Sequence, residues 1–184
     1  MVREMSADKA ELTAFYIKEK NILSGLYVNT NQTQVVYAQG SNLTWTKTGA
    51  KQVSTIGNDG MMLPLQAIYQ GHSKMSCPNP LAANYENCIK GNFHVKFSNI
   101  KTYWSTQVTM HTLIDEIVAP YCERKKQELG LSQTQKLMWQ IDTWSVHQSL
   151  GFQTWLKKNH LMIVLNFVSG GCTGLFRPCD VGMQ

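Results

Sequence analysis

The cysteines of this chain form no framework. Cys77, Cys88, Cys122, Cys172 and Cys179 are odd in number, irregularly spaced and without a CxxC. That argues against both a disulfide scaffold and a structural zinc site and points to a reducing compartment. Long apolar runs are missing too. None approaches the ~20 residues a membrane span requires, and Met1-Val2-Arg3-Glu4-Met5-Ser6 lacks the apolar core of a signal peptide, so a soluble intracellular protein is expected. No internal repeat is present. Gly170-Gly171 is no phosphate loop, because the lysine and helix that would complete one do not follow. Acids are scarce, 12 Asp and Glu against 17 Lys and Arg, for a formal charge of +5. The excess favours polyanionic partners, although many proteins that never touch nucleic acid share it.

What is present is a packed globular composition. Hydrophobic residues make up 43% of 184 and charged residues 16%, with five tryptophans, which suits one domain with a sizeable core. The basic residues scatter apart from Arg124-Lys125-Lys126, which reads as a solvated helix end. The five tryptophans, Trp45, Trp104, Trp139, Trp144 and Trp155, read as core rather than as base-stacking platforms.

Ser6 can cap a short helix through Phe15 and Tyr16, a helical lead-in over residues 1–25. From Leu26 the pattern becomes strand-like: Leu26-Tyr27-Val28, Val35 to Ala38, Gln52 to Ile56, and Met61 to Tyr69 after an Asn58-Asp59-Gly60 turn, together an antiparallel meander. Residues 72–103 read as loop with one short strand at His94 to Phe97. A strong helix starts at Ser105 or Thr106, is kinked or broken by Pro120 and is closed by Gly130. Lys136 to Asp142 is a buried strand, Ser149 to Lys158 a helix and Leu161 to Val168 a second apolar strand, a β-α-β unit. A meander followed by helix, strand, helix, strand predicts an α/β fold with a mixed sheet flanked by helices, the ribonuclease H-like order.

Two aspartates fall where strands end, Asp142 in Leu137-Met138-Trp139-Gln140-Ile141-Asp142 and Asp180 in Phe176-Arg177-Pro178-Cys179-Asp180. The carboxyl ends of parallel strands gather polar residues from different loops. Hard oxygen ligands suit Mg²⁺, and two ions ~3.5–4 Å apart can activate and stabilise the oxygens of a phosphodiester displacement. Taken singly, each aspartate could instead cap a helix or close a turn.

Longer motifs surround them. Ile141-Asp142-Thr143-Trp144-Ser145-Val146-His147 and the stretch from Asn166 through Phe176-Arg177-Pro178-Cys179-Asp180 to Gly182 occur downstream. Val28-Asn29-Thr30-Asn31-Gln32 and Leu63-Pro64-Leu65 occur upstream. Together they resemble the DDE superfamily endonuclease domain of pogo, Tigger and jerky-like transposases, related to centromere protein B. The resemblance covers residues 26–184 and implies a ribonuclease H-like fold, a nuclear setting, DNA as partner, and Mg²⁺ or Mn²⁺ held by three acids for strand cleavage and transfer. By position Asp142 and Asp180 match the second and third acids, as metal ligands, and Asn31 stands at the first, where the family has Asp. At ~4 Å and an effective dielectric of ~20, one unit charge is worth ~4 kcal/mol, roughly a thousandfold in rate. An inactive nuclease with a weakly held ion is therefore expected. The alternatives are a domesticated protein-interaction module and a non-functional fragment.

Further features bear on that expectation. The stretch from Ser54 to Met62 is short, as though the family's second strand were missing, and the chain stops at Gln184 before a closing helix, so the fold is expected to be incomplete. His147 reads as structural. Asp115 and Glu116 read as surface charges between Ile114 and Ile117, and Cys172 and Cys179 as small packed residues.

Overall fold

The computed structural model describes residues 21–35, 50–57 and 59–168, with 14, 18 and 19. Most of the lead-in helix, the strand expected at 36–38, and Cys172, Cys179 and Asp180 lie outside those residues. The strands are β1 (Tyr27–Val35), β2 (Ala50–Gly57), β3 (Leu65–Tyr69), β4 (Phe93–Phe97), β5 (Leu137–Asp142) and β6 (Ile163–Val168). The helices are α1 (Tyr85–Lys90), α2 (Gln107–Leu113), α3 (Ala119–Glu128), α4 (Ser145–Gln148) and α5 (Leu150–Asn159). The six strands form one mixed sheet in the order β4-β3-β2-β1-β5-β6, with β2 antiparallel to β3 and the pairs β3–β4, β1–β5 and β5–β6 parallel. Its β3-β2-β1-β5-β6 portion is the ribonuclease H-like arrangement, and β4 adds an edge strand.

Three expectations change. The two strands expected at 26–28 and 35–38 are not separated by a turn, because residues 29–34 continue β1. Asn29 and Thr30 stay in the sheet since buried partners satisfy them, as described below. The expected gap near Asn58 does not open the sheet. β2 reaches Gly57, and Met62 and Leu63 turn back along it through the Ile56–Met62 bridge and the Leu63 N–H bond to Thr55 O of 2.9 Å. A tight turn does this work: Gly60 has φ +81°, and its N–H meets Gly57 O at 3.0 Å. Finally, α1 occupies part of the stretch read as loop; it is short, and Asn84 before it sits at φ +64°.

The chain divides into two compact units, residues 1–31, 55–63 and 114–184 in one and 32–54 and 64–113 in the other. In the second unit β3 is buried at its centre, and Gln66, fully buried, anchors it by donating Nε2 to Thr109 O and Thr112 Oγ1, both at 3.0 Å. Thr106 opens α2, with its Oγ1 accepting from the Thr109 N–H at 3.4 Å.

The core of the first unit gathers Leu26, Val28, Leu137, Trp139 and Ile141 from β1 and its approach and from β5, with Ile114, Ile117, Val118 and Tyr121 from the helical stretch and Phe152 and Leu156 from α5. Each such side chain contributes about 1.5–3 kcal/mol on burial. Pro120 does not break the helix. A π-helical turn over Ile114–Val118 precedes it and Pro120 lies in the first turn of α3, where its missing N–H costs little. Gly130, at φ +62°, closes α3, and the Leu131 N–H returns to Lys126 O at 2.8 Å. Ser149 caps α5, accepting from the Phe152 N–H at 3.3 Å. No helix among the described residues is long and apolar enough to cross a membrane.

The run Arg124-Lys125-Lys126 departs from a solvated helix end. Lys126 is 0% exposed, and its Nζ donates to Glu123 Oε1 at 3.0 Å and to Gln133 O at 2.9 Å. Lys125 bridges Asp59 and Glu128, each at 2.9 Å, which raises its pKa, first through Glu128 and then through Asp59. Burial alone would push the Asp59 carboxyl up, but hydrogen bonds from Lys125 and the Met61 N–H hold it below its ordinary value. Arg124 lies 5.6 Å over the Tyr121 ring. Burial, then the Asp59 charge, pushes the Tyr121 hydroxyl up to about 12. Replacing Lys126 by Ala removes a charge-assisted bond and its packed stem, and urea titration should show a loss of about 2–4 kcal/mol, whereas the half-exposed Arg124→Ala should stay within about 0.5 kcal/mol.

Candidate functional site

Strands β1 and β5 run parallel with Tyr27 opposite Met138, Val28 opposite Trp139 and Asn29 opposite Gln140. Buried polar side chains hold that register on both faces. On one, Asn29 Nδ2 donates to Gln140 Oε1 at 3.2 Å, and both residues are at most 2% exposed. Gln140 in turn stands opposite Asn166 of β6, itself buried. Tyr27 hydrogen-bonds Gln140 on the same face; burial pushes its hydroxyl up to about 12, and that bond only partly offsets the shift. On the other face Trp139 Nε1 donates to Thr30 Oγ1 at 2.8 Å, and Thr30 shares a hydrogen bond of 3.0 Å with Thr55.

Side chains two residues apart along a strand share a face. Asn31 and Asp142 each lie two residues beyond the Asn29–Gln140 pair and so share its face, Asp142 as the last residue of β5 and Asn31 at the middle of β1. Asn31 is half-buried, and the Asp142 side chain is 36% exposed. A buried amide ladder thus leads up to a half-solvated amide and carboxylate. Asp180 lies outside the described residues.

Asp142 also serves the turn that follows it. Its Oδ1 accepts from the Trp144 N–H at 3.4 Å, an Asx-type contact that helps the chain leave β5 for α4. The same oxygen lies 2.7 Å from His147 Nδ1. His147 is buried, with Trp144 edge-on at 5.5 Å between ring centroids and Phe152 at 6.4 Å. Reading His147 as structural captured its packing but missed its hold on the carboxylate. The signal lay in the spacing: five residues, through a turn and one short helix, return a side chain to the strand end.

Asp115 and Glu116 are exposed in the π-helical turn, and Asp115 Oδ1 pairs with His160 Nε2 at 2.8 Å. Asp115 is thus a surface charge with a partner of its own. Among the described residues no group of three or more His, Cys, Asp or Glu could hold a metal ion. The donors Asp142 and Asn31, one carboxylate and one amide oxygen, fit Mg²⁺ or Mn²⁺ in kind but bring a single negative charge. Trp139 is wholly buried, as expected of core, while Trp104 is 43% exposed, contrary to a core role.

No protein-family model and no curated protein matches the chain. Among solved structures it is similar to the crystal structure of the Mos1 mariner paired end complex with Mn, at 8% identity and a TM-score of 0.48 over 87% of this chain. The matched region is 40% of that other chain's length.

If Asn31 and Asp142 face one another, Asn31→Asp sets two carboxylates side by side, a repulsion of about 1–4 kcal/mol depending on local dielectric. The melting temperature in EDTA should fall by about 2–4 °C per kcal/mol and recover in millimolar Mn²⁺. An unchanged melt in both conditions would show that the two side chains do not meet.

Proposed function

We propose that this chain is a transposon-derived DDE-type endonuclease domain of the pogo, Tigger and jerky-like kind, which binds nucleic acid and has lost strand cleavage. What supports the reading is the parallel pairing of β1 with β5 up to Asn29 opposite Gln140, because Asn31 and Asp142 each lie two residues beyond that pair and on its face. This is where a ribonuclease H-like sheet offers a pair of acids to a divalent ion. In the proposed site Asp142, Asp180 and the amide oxygen of Asn31 would hold Mg²⁺ or Mn²⁺. Such an ion, when bound, supplies Lewis-acid stabilisation of the phosphodiester oxygens. With Asn31 the first position keeps an oxygen donor and loses its charge, a deficit of ~4 kcal/mol at ~4 Å and an effective dielectric of ~20. The proposed setting is the nucleus and the proposed partner DNA, attracted by the +5 formal charge.

A second reading is a domesticated protein-interaction module, in which nucleic acid plays no part. It is favoured by the Arg124-Lys125-Lys126 run, whose charges pair with Asp59, Glu123 and Glu128. Met75 and Leu81, each 92% exposed, favour it as well.

Purified protein with Mg²⁺ or Mn²⁺ should leave supercoiled plasmid intact, and Asn31→Asp should restore measurable nicking. DNA affinity of the native chain should fall steeply as salt rises from 50 to 200 mM, as counterion release requires. Robust metal-dependent nicking by the native chain would overturn the loss of catalysis. Binding that is absent or insensitive to salt would favour the interaction module.

A further inference from the structure

Resting on the reading of Asp142 as a metal-facing carboxylate, we propose that His147 is a positioning residue that fixes that carboxylate for a divalent cation. His147 Nδ1 has two neighbours, Asp142 Oδ1 at 2.7 Å and Asp142 O at 3.2 Å, and both can only accept. Nδ1 must therefore carry hydrogen, whatever the state of the rest of the ring. The bond is directed by packing, because the ring lies edge-on to Trp144 and against Phe152, itself wholly buried in the core. The Trp144 N–H reaches the same Oδ1 at 3.4 Å, so both donors grip one carboxylate oxygen from the turn side. A side chain at a strand end with 36% exposure would otherwise sample several rotamers. Held in this way, Asp142 keeps one orientation at the end of β5. Groups that orient a ligand from behind typically change metal affinity by 10–100-fold when removed.

Two substitutions separate positioning from packing. His147→Phe keeps an aromatic ring between Trp144 and Phe152 and removes the donor. His147→Asn places an amide N–H near the Nδ1 position and removes the ring. Both are made in the Asn31→Asp background, and free Mn²⁺ is titrated with each protein and followed by its electron paramagnetic resonance signal, with thermal melts in EDTA alongside. The expected result is a Mn²⁺ dissociation constant about 10–100-fold weaker for His147→Phe with its melt retained. His147→Asn should bind close to the parent despite a lower melting temperature. His147→Phe binding Mn²⁺ as the parent does, while Asp142→Asn loses it, would overturn positioning and leave the proposed site standing. Asp142→Asn without effect on Mn²⁺ would overturn both. Should His147→Phe lose its cooperative melt, His147→Asn decides, since retained affinity supports the proposal and lost affinity overturns it.

Discussion

The parallel pairing of β1 with β5 is the constraint on which the rest of this protein depends. Neither strand is simply apolar. Asn29 and Gln140 meet on one face, and Thr30, Thr55 and Trp139 Nε1 on the other, all buried. A buried polar group left without a partner costs about 1–3 kcal/mol, so sliding one strand by a residue would orphan several at once. It would also turn every side chain of the moved strand to the opposite face. These hydrogen bonds lock the register two residues below Asn31 and Asp142.

Charge is organised by a similar economy. Lys126 is buried with Glu123 and the Gln133 carbonyl, and Lys125 is held between Asp59 and Glu128. A linear basic run thus becomes a set of tethers joining α3 to the turn after β2 and to the segment before β5. Lys125 and Lys126 are thereby taken up by pairs within the protein, while Arg124 stays half-exposed. The π-helical turn before Pro120 belongs to the same design, because it carries the helix past a residue that cannot donate while keeping Ile114, Ile117 and Val118 buried.

Long periodic segments were legible in advance. β5, α5 and β6 fall where hydrophobic pattern and the Ser149 cap put them, and Gly60 and Gly130 punctuate as their freedom to adopt positive φ suggests. β1 was misread because its centre, Asn29 to Gln34, is polar. Polarity signals a turn only when partners are lacking, and here Asn29 and Thr30 find theirs on β5, more than a hundred residues away. The short stretch before Leu63 suggested a missing strand for a related reason, since length does not reveal that a four-residue turn can reverse the chain beside β2. Lys126 read as solvated because nothing in a run of basic residues marks which one points inward.

The sequence by itself determined the long periodic elements and the types of oxygen available to a site: alternating apolar periods, caps and glycines act locally, and Asn31 or Asp142 is an amide or a carboxylate in any fold. Only the tertiary structure decided which strands adjoin, that Asn29 stands opposite Gln140, and that His147 closes on the Asp142 carboxylate. Those outcomes depend on hydrogen bonds and packing between residues far apart in the chain, whose energies exist only once the sheet has formed.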